Sequence, residues 1–142
     1  MFTGIVCVDT LGVLLKWLHY QCGLSEVTLF RRRYVNCCSK WTTNRAKQKG
    51  TAFETAVVRY LSAETGAWVE RRALAGAEDK GDLIGDGCLS EWCLELKDHK
   101  QINLAGFVDE AEVEGRNAGS RWFAAIVKRR NKGVKDAYVV MP

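Results

Sequence analysis

From residue 47 onward the apolar positions fall into two clear periods. Phe53, Ala56, Val57, Tyr60 and Leu61 recur at spacings of three and four, which predicts an amphipathic helix closing near Gly66. Residues 67–71 read as a strand. A loop rich in glycine and charge, residues 73–80, leads into a second strand around Asp82, Leu83 and Ile84, and Gly85-Asp86-Gly87 turns the chain. Residues 91–97 alternate: Trp92, Leu94 and Leu96 take one face, and Glu91, Cys93, Glu95 and Lys97 the other. Leu104, Phe107, Val108, Ala111 and Val113 predict a second helix, with Asp109, Glu110, Glu112 and Glu114 mostly outward. Residues 122–127 form an apolar strand, a basic turn follows, and residues 137–141 make the last strand. The order is α-β-β-β-α-β-β, an α/β fold with a central mixed sheet flanked by helices.

Residues 1–44 have a different character. They carry four of the six cysteines (Cys7, Cys22, Cys37 and Cys38) and no firm period beyond a short helix over residues 11–19. The division is therefore an N-terminal extension, 1–44, expected to pack poorly, and a domain, 45–142. His19, Cys22, Cys37 and Cys38 are the donor types of a zinc site, but their spacings match no familiar finger. Met1 and Met141 are the only methionines, so a native start inside the chain requires a non-ATG codon, for instance at Val35.

Composition changes this picture little. The chain has 142 residues, 47% of them hydrophobic, enough for one domain core. Its net charge of +4 divides unevenly: residues 1–44 hold 5 basic and 2 acidic residues, so +3, and residues 45–142 hold 16 and 15, so +1. Bulk charge does not mark a nucleic-acid binder, so only local clusters count. These are Arg31-Arg32-Arg33, Arg45 with Lys47 and Lys49, and Lys128-Arg129-Arg130 with Lys132 and Lys135. The N-terminus lacks a signal-peptide pattern and no long uncharged run exists. Reduced thiols at Cys88 and Cys93 and a cytoplasmic location are expected.

The chemistry centres on Gly81-Asp82 and Glu95-Leu96-Lys97. Residues two apart on a strand share a face, so Glu95 and Lys97 project together, and Asp82 approaches Glu95 if their strands pair. Two carboxylates and an ammonium then converge, the donors needed to hold Mg2+ (or Mn2+) and set a water against a phosphodiester. Asp82 and Glu95 are the expected metal ligands, with the Leu96 carbonyl as another. Lys97 would position the water or stabilise the pentavalent oxyanion. A bare Glu-x-Lys is common as a solvated ion pair, so the weight rests on its context. Thr51-x-x-Glu54 fits a capping box, and it equally fits Glu54 reaching the metal from the helix. His99 reads as a surface residue. Lys49, Arg71, Arg72, Lys128, Arg129 and Arg130 are candidate phosphate contacts.

Lys49-Gly50-x-x-x-Glu54, Arg71-Arg72, Gly81-Asp82-Leu83-Ile84-Gly85 and Leu94-Glu95-Leu96-Lys97, in this order, resemble the PD-(D/E)XK nuclease superfamily. Within it the chain is most similar to Holliday-junction resolvases of the archaeal Hjc type and their bacteriophage relatives, over residues 47–141. The resemblance implies a restriction-endonuclease-like core. It places the family's helix glutamate on Glu54, its metal aspartate on Asp82 and its Glu-x-Lys pair on Glu95 and Lys97. It also implies a homodimer that nicks a four-way DNA junction on two strands of like polarity, a two-fold enzyme for a two-fold substrate. Phe107, Trp122 and Phe123 are candidate dimer surface, although core packing suits at least two of them. Two departures stand out. Gly81 replaces the motif's Pro, which many relatives share and which is expected to cost little, and Leu74-Ala75-Gly76 lacks the serine that archaeal members carry there. The alternatives are a PD-(D/E)XK nuclease of flaps, ends or restriction sites, and a DNA-binding module that does not cut.

Overall fold

The helix periodicity centred on Phe53, Val57 and Leu61 is realised in full: all three side chains are 3% exposed or less. The structure, a computed structural model, describes residues 6–8, 10–22, 45–73 and 79–142. Their elements run β1 (Val6–Val8), α1 (Leu11–Cys22), α2 (Arg45–Thr65), β2 (Val69–Arg71), β3 (Leu83–Gly85), β4 (Trp92–Lys97), α3 (Leu104–Ala118), β5 (Trp122–Val127) and β6 (Tyr138–Met141). The chain leaves α2 at Gly66, whose φ of 69° is the left-handed conformation that ends helices. Thr51 lies well inside α2, and its carbonyl accepts the Thr55 hydroxyl at 2.8 Å. A capping box needs its Thr at the helix start, so that reading of Glu54 fails.

Four strands form a mixed sheet in the order β1-β6-β5-β4. β4 and β5 are parallel, joined through α3, with Glu95 opposite Ala125 and Lys97 opposite Val127. β6 is antiparallel to β5, and β1 is antiparallel to β6. Strand alternation then splits the side chains between two layers. Leu94, Leu96, Ala124, Ile126 and Val139 pack with Phe53, Val57 and Leu61 of α2. Ala125, Val127 and Val140 pack on the other face with Phe107 and Ala111 of α3. Glu95 and Lys97 share the α3 side. The chain is thus mixed α/β, with helices on both faces of the sheet.

Two features differ from the expectation. Leu11, Leu14 and Leu15 of α1 are buried in the larger core, and the Leu11 N–H donates to the Ala137 carbonyl at 3.2 Å. This part of the N-terminal segment packs with the rest rather than trailing from it. The zinc donor set of His19, Cys22, Cys37 and Cys38 and the internal start at Val35 fall outside the residues and side chains described. The second difference concerns the strand after Asp82. β3 pairs antiparallel with β2, Glu70 opposite Ile84, in a separate two-stranded sheet. The Asp82 N–H donates to the Leu94 carbonyl at 3.0 Å, and the next residues, Leu83–Gly85, pair with β2.

Phe107 and Phe123 pack around the α3 core. Trp122 stacks on Trp92, ring centroids 6.1 Å apart, and stays partly exposed. Among the described residues no helix is long and apolar enough to cross a membrane.

Candidate active site

The site is organised by one tight backbone approach. Gly81 has φ 85°, and a Cβ built there would meet Cys93 Sγ at 2.7 Å and the Leu94 carbonyl oxygen at 3.3 Å. Only glycine fits, and proline, confined to φ near −65°, is excluded outright. Gly81 is therefore a requirement of this chain and not a cheap departure. Its conformation delivers Asp82 against β4, where Asp82 Oδ2 accepts the Leu96 N–H at 2.7 Å. Gly81→Ala is expected to lower stability by about 1–3 kcal/mol, from the left-handed backbone and the thiol overlap together. Urea unfolding checks this, and an unchanged midpoint would show that the approach relaxes freely.

Glu95 is buried, 8% exposed, in the middle of β4. Its Oε1 accepts from Lys97 Nζ at 2.5 Å, and Lys97 Nζ also reaches Glu110 Oε2 of α3 at 2.5 Å. The Glu95 carboxyl lies within hydrogen-bonding reach of both Asp82 and Glu114. One Oε of Glu114 is buried with no hydrogen-bond partner. Four carboxyl groups, of Asp82, Glu95, Glu110 and Glu114, thus gather around one ammonium, that of Lys97 at the end of β4.

The crowding moves the titrations. Burial, then the Glu95 charge, pushes Asp82 up to about 7, although the Leu96 N–H opposes it. Burial, then the hydrogen bond with Glu114, pushes Glu95 up to about 7. Burial also raises Glu114. Burial disfavours the charge on Lys97, yet its hydrogen bonds to Glu110 and Glu95 outweigh that and hold it above the ordinary lysine range. Lys97 is a fixed cation at neutral pH. Burial, then Glu114, pushes the Cys93 thiol up to about 12, so it remains an inert thiol.

A pH dependence follows. The folded pair keeps protons that the unfolded chain gives up at ordinary carboxyl values, so ν is larger in the native state between about pH 4 and pH 7. Without divalent cations this contribution to stability is present at low pH, falls as pH rises through that window and is flat above it. A cation binds the ionised pair, so metal-induced stabilisation runs the other way. Melts in EDTA and in Mg2+ should show a larger metal-induced rise in Tm at about pH 8 than at about pH 6. Equal rises would contradict the assignment of these carboxylates.

Glu54 is within electrostatic reach of Asp82. Its Oε2, however, is held by Arg71, whose Nε donates at 2.5 Å. Arg71 and Glu54 are thus brought together as an ion pair, a contact that their separate assignments to phosphate and metal did not anticipate. The Arg72 N–H donates to the Asp82 carbonyl at 2.7 Å, and Arg72 Nε is buried without a hydrogen-bond partner among the described residues. On the other flank the Lys128 N–H donates to the Lys97 carbonyl at 2.9 Å. Lys128 Nζ pairs with Asp98 at 2.8 Å and lies 5.6 Å from the Phe53 ring centroid. Arg129 lies over Tyr138, while Arg130 and Lys49 are exposed. Basic segments therefore border the carboxylates on both sides. His99 is exposed beside Phe107.

Among the described residues no three Asp, Glu, His or Cys side chains are grouped to enclose an ion by themselves. Asp82 and Glu95 nevertheless suit Mg2+, which takes one or two carboxylates and completes its shell with water and substrate phosphate. The excess of carboxylates over ammonium is the charge imbalance that a divalent cation offsets. The donor set fits at Asp82 and Glu95; Glu54 joins it only by releasing Arg71.

The sequence puts Glu110 and Glu114 mostly outward; Glu110 is exposed, yet it contacts Lys97, and Glu114 is half-buried. Both lie at the edge of the buried stripe of Phe107, Ala111 and Gly115. Their spacing of three and seven from Phe107 was the available signal, masked by the acids at Asp109 and Glu112. No family model, curated protein or solved structure matches this chain.

Proposed function

We propose that the chain is a metal-dependent endodeoxyribonuclease with a PD-(D/E)XK, restriction-endonuclease-like core. The observation that carries the reading is the meeting of Asp82 and Glu95, from separate segments, beside a permanently charged Lys97. When bound, Mg2+ supplies a polarised water and neutralises charge on the scissile phosphate. Asp82 and Glu95 would hold it, Asp82 being fixed by the Leu96 N–H. The two hydrogen bonds that keep Lys97 protonated favour it as a donor to the phosphate oxygens over a role as base. Glu54 is a further carboxylate for the site once a phosphate draws Arg71 away.

Lys49, Arg71, Arg72, Lys128, Arg129 and Arg130 are proposed to contact the DNA backbone, which fixes position without reading sequence. Branched DNA, in particular a four-way junction, is the proposed substrate, cut by a homodimer in the cytoplasm. The support for this finer step is the ordered motif set and the match of a two-fold enzyme to a two-fold junction.

A labelled four-way junction, a flap and a matched duplex, each with Mg2+ and with EDTA, test the reading. Paired, symmetric, Mg2+-dependent nicks confined to the junction are expected. Cutting of flap or duplex instead keeps the nuclease and removes the junction role. Binding without any cutting contradicts the enzyme.

A further inference from the structure

We propose that Glu110 of α3 is the positioning residue for Lys97, fixing where its ammonium meets the substrate. The inference rests on the nuclease reading above and extends it to a residue outside the Asp82, Glu95 and Lys97 set. Lys97 is 13% exposed at its side chain, and two carboxylates hold its Nζ at equal distances of 2.5 Å, Glu95 and Glu110. The Phe107 ring, one helical turn before Glu110, lies 5.8 Å from the same nitrogen. α3 therefore provides an apolar wall and one anionic contact for the end of the side chain.

The two carboxylates are not equivalent. Glu95 faces Asp82 and Glu114, and its oxygens are also the donors offered to a cation. A bound cation competes with Lys97 for those oxygens. Glu110 stands on the helix, 56% exposed, outside that group, so its hold on Lys97 persists when Glu95 is engaged. An ammonium has three N–H donors. With one on Glu110 and one shared with Glu95, the third is left for a phosphate oxygen. Without Glu110, the four-carbon stem is free to swing, and the ammonium follows whichever carboxylate is least occupied. An ion pair with one partner this exposed adds little to folding stability, which separates a positioning role from a structural one.

The test uses the full chain with Glu110→Ala, Glu110→Gln and, as a control on the same helix, Glu112→Ala. Glu110→Ala should slow single-turnover cleavage of the junction roughly 10- to 100-fold, the scale of a misplaced catalytic group. Its DNA dissociation constant and Tm should stay at wild-type values. Glu110→Gln keeps an acceptor and should recover much of the rate, and Glu112→Ala should cut like wild type. Amine acylation mapped to Lys97 by mass spectrometry gives a readout independent of cleavage, faster in Glu110→Ala than in wild type. Wild-type rate and wild-type labelling in Glu110→Ala would overturn the inference, as would a loss of Tm and DNA binding in proportion to the lost rate. Absence of cleavage by the wild-type chain itself would instead fell the nuclease reading, with the labelling still deciding whether Glu110 holds Lys97.

Discussion

Replacing Glu95 with glutamine should reduce junction cleavage by roughly 10²- to 10³-fold, the scale seen when a preorganised electrostatic contact to a transition state is removed. Junction binding should remain largely intact, since the proposed phosphate contacts lie in the flanking basic segments. Glutamine has the same shape, so the buried site keeps its packing. It removes a carboxylate whose burial, then its hydrogen bond with Glu114, raises the Glu95 pKa to about 7. The metal-free variant should therefore be at least as stable as wild type near neutral pH. Glu95→Ala should also abolish cutting, at the added cost of a cavity in β4. Single-turnover kinetics with parallel binding and thermal melts distinguish the roles. Joint loss of folding and binding in the glutamine variant would make Glu95 structural.

Leu14→Ala should destabilise the protein by about 2–5 kcal/mol, the range for deleting a buried leucine in a core that cannot collapse around the gap. Leu14 is 2% exposed and packs in the core of Phe53, Val57 and Leu61. The neighbouring Val13 is 45% exposed on the same helix, so Val13→Ala serves as a control with a small effect. Urea unfolding of both variants checks the pair. A Leu14→Ala midpoint equal to that of wild type would show that α1 contributes nothing to the core.

Long, regular elements were legible in the sequence for simple reasons. α2 shows its face through Phe53, Val57 and Leu61, and β4 through strict alternation from Trp92 to Lys97. Alternation also placed Glu95 and Lys97 on one side, which the α3 core explains. β1 and α1 were harder, because β1 is three residues long and α1 mixes polar and apolar positions. β1 is placed by pairing with β6, a contact made across nearly the whole chain length. The pairing of β3 with β2 and the positive φ of Gly81 before it are features that no periodicity reports. Asp82 and Glu95 do come together, as expected if their segments pair, but through the Asp82 N–H to the Leu94 carbonyl and the Leu96 N–H to the Asp82 carboxylate and not through a continuous strand ladder. Glu110 and Glu114 were hidden by acids on the other faces of α3. Only their phase against Phe107 and Ala111 separates them from Asp109 and Glu112. The Arg71 contact to Glu54 joins residues 17 apart in sequence and depends on how β2 lies against α2, which is tertiary information.

The proposed function requires Asp82 and Glu95 to form one divalent-cation site. Its most direct test is a calorimetric titration of Mn2+ into the DNA-free full chain, with Asp82→Asn, Glu95→Gln and the exposed control Glu91→Gln. Wild type and Glu91→Gln should bind Mn2+ with the same affinity, and Asp82→Asn and Glu95→Gln should each lose it. Equal binding by all four proteins, or none by wild type, would contradict the account.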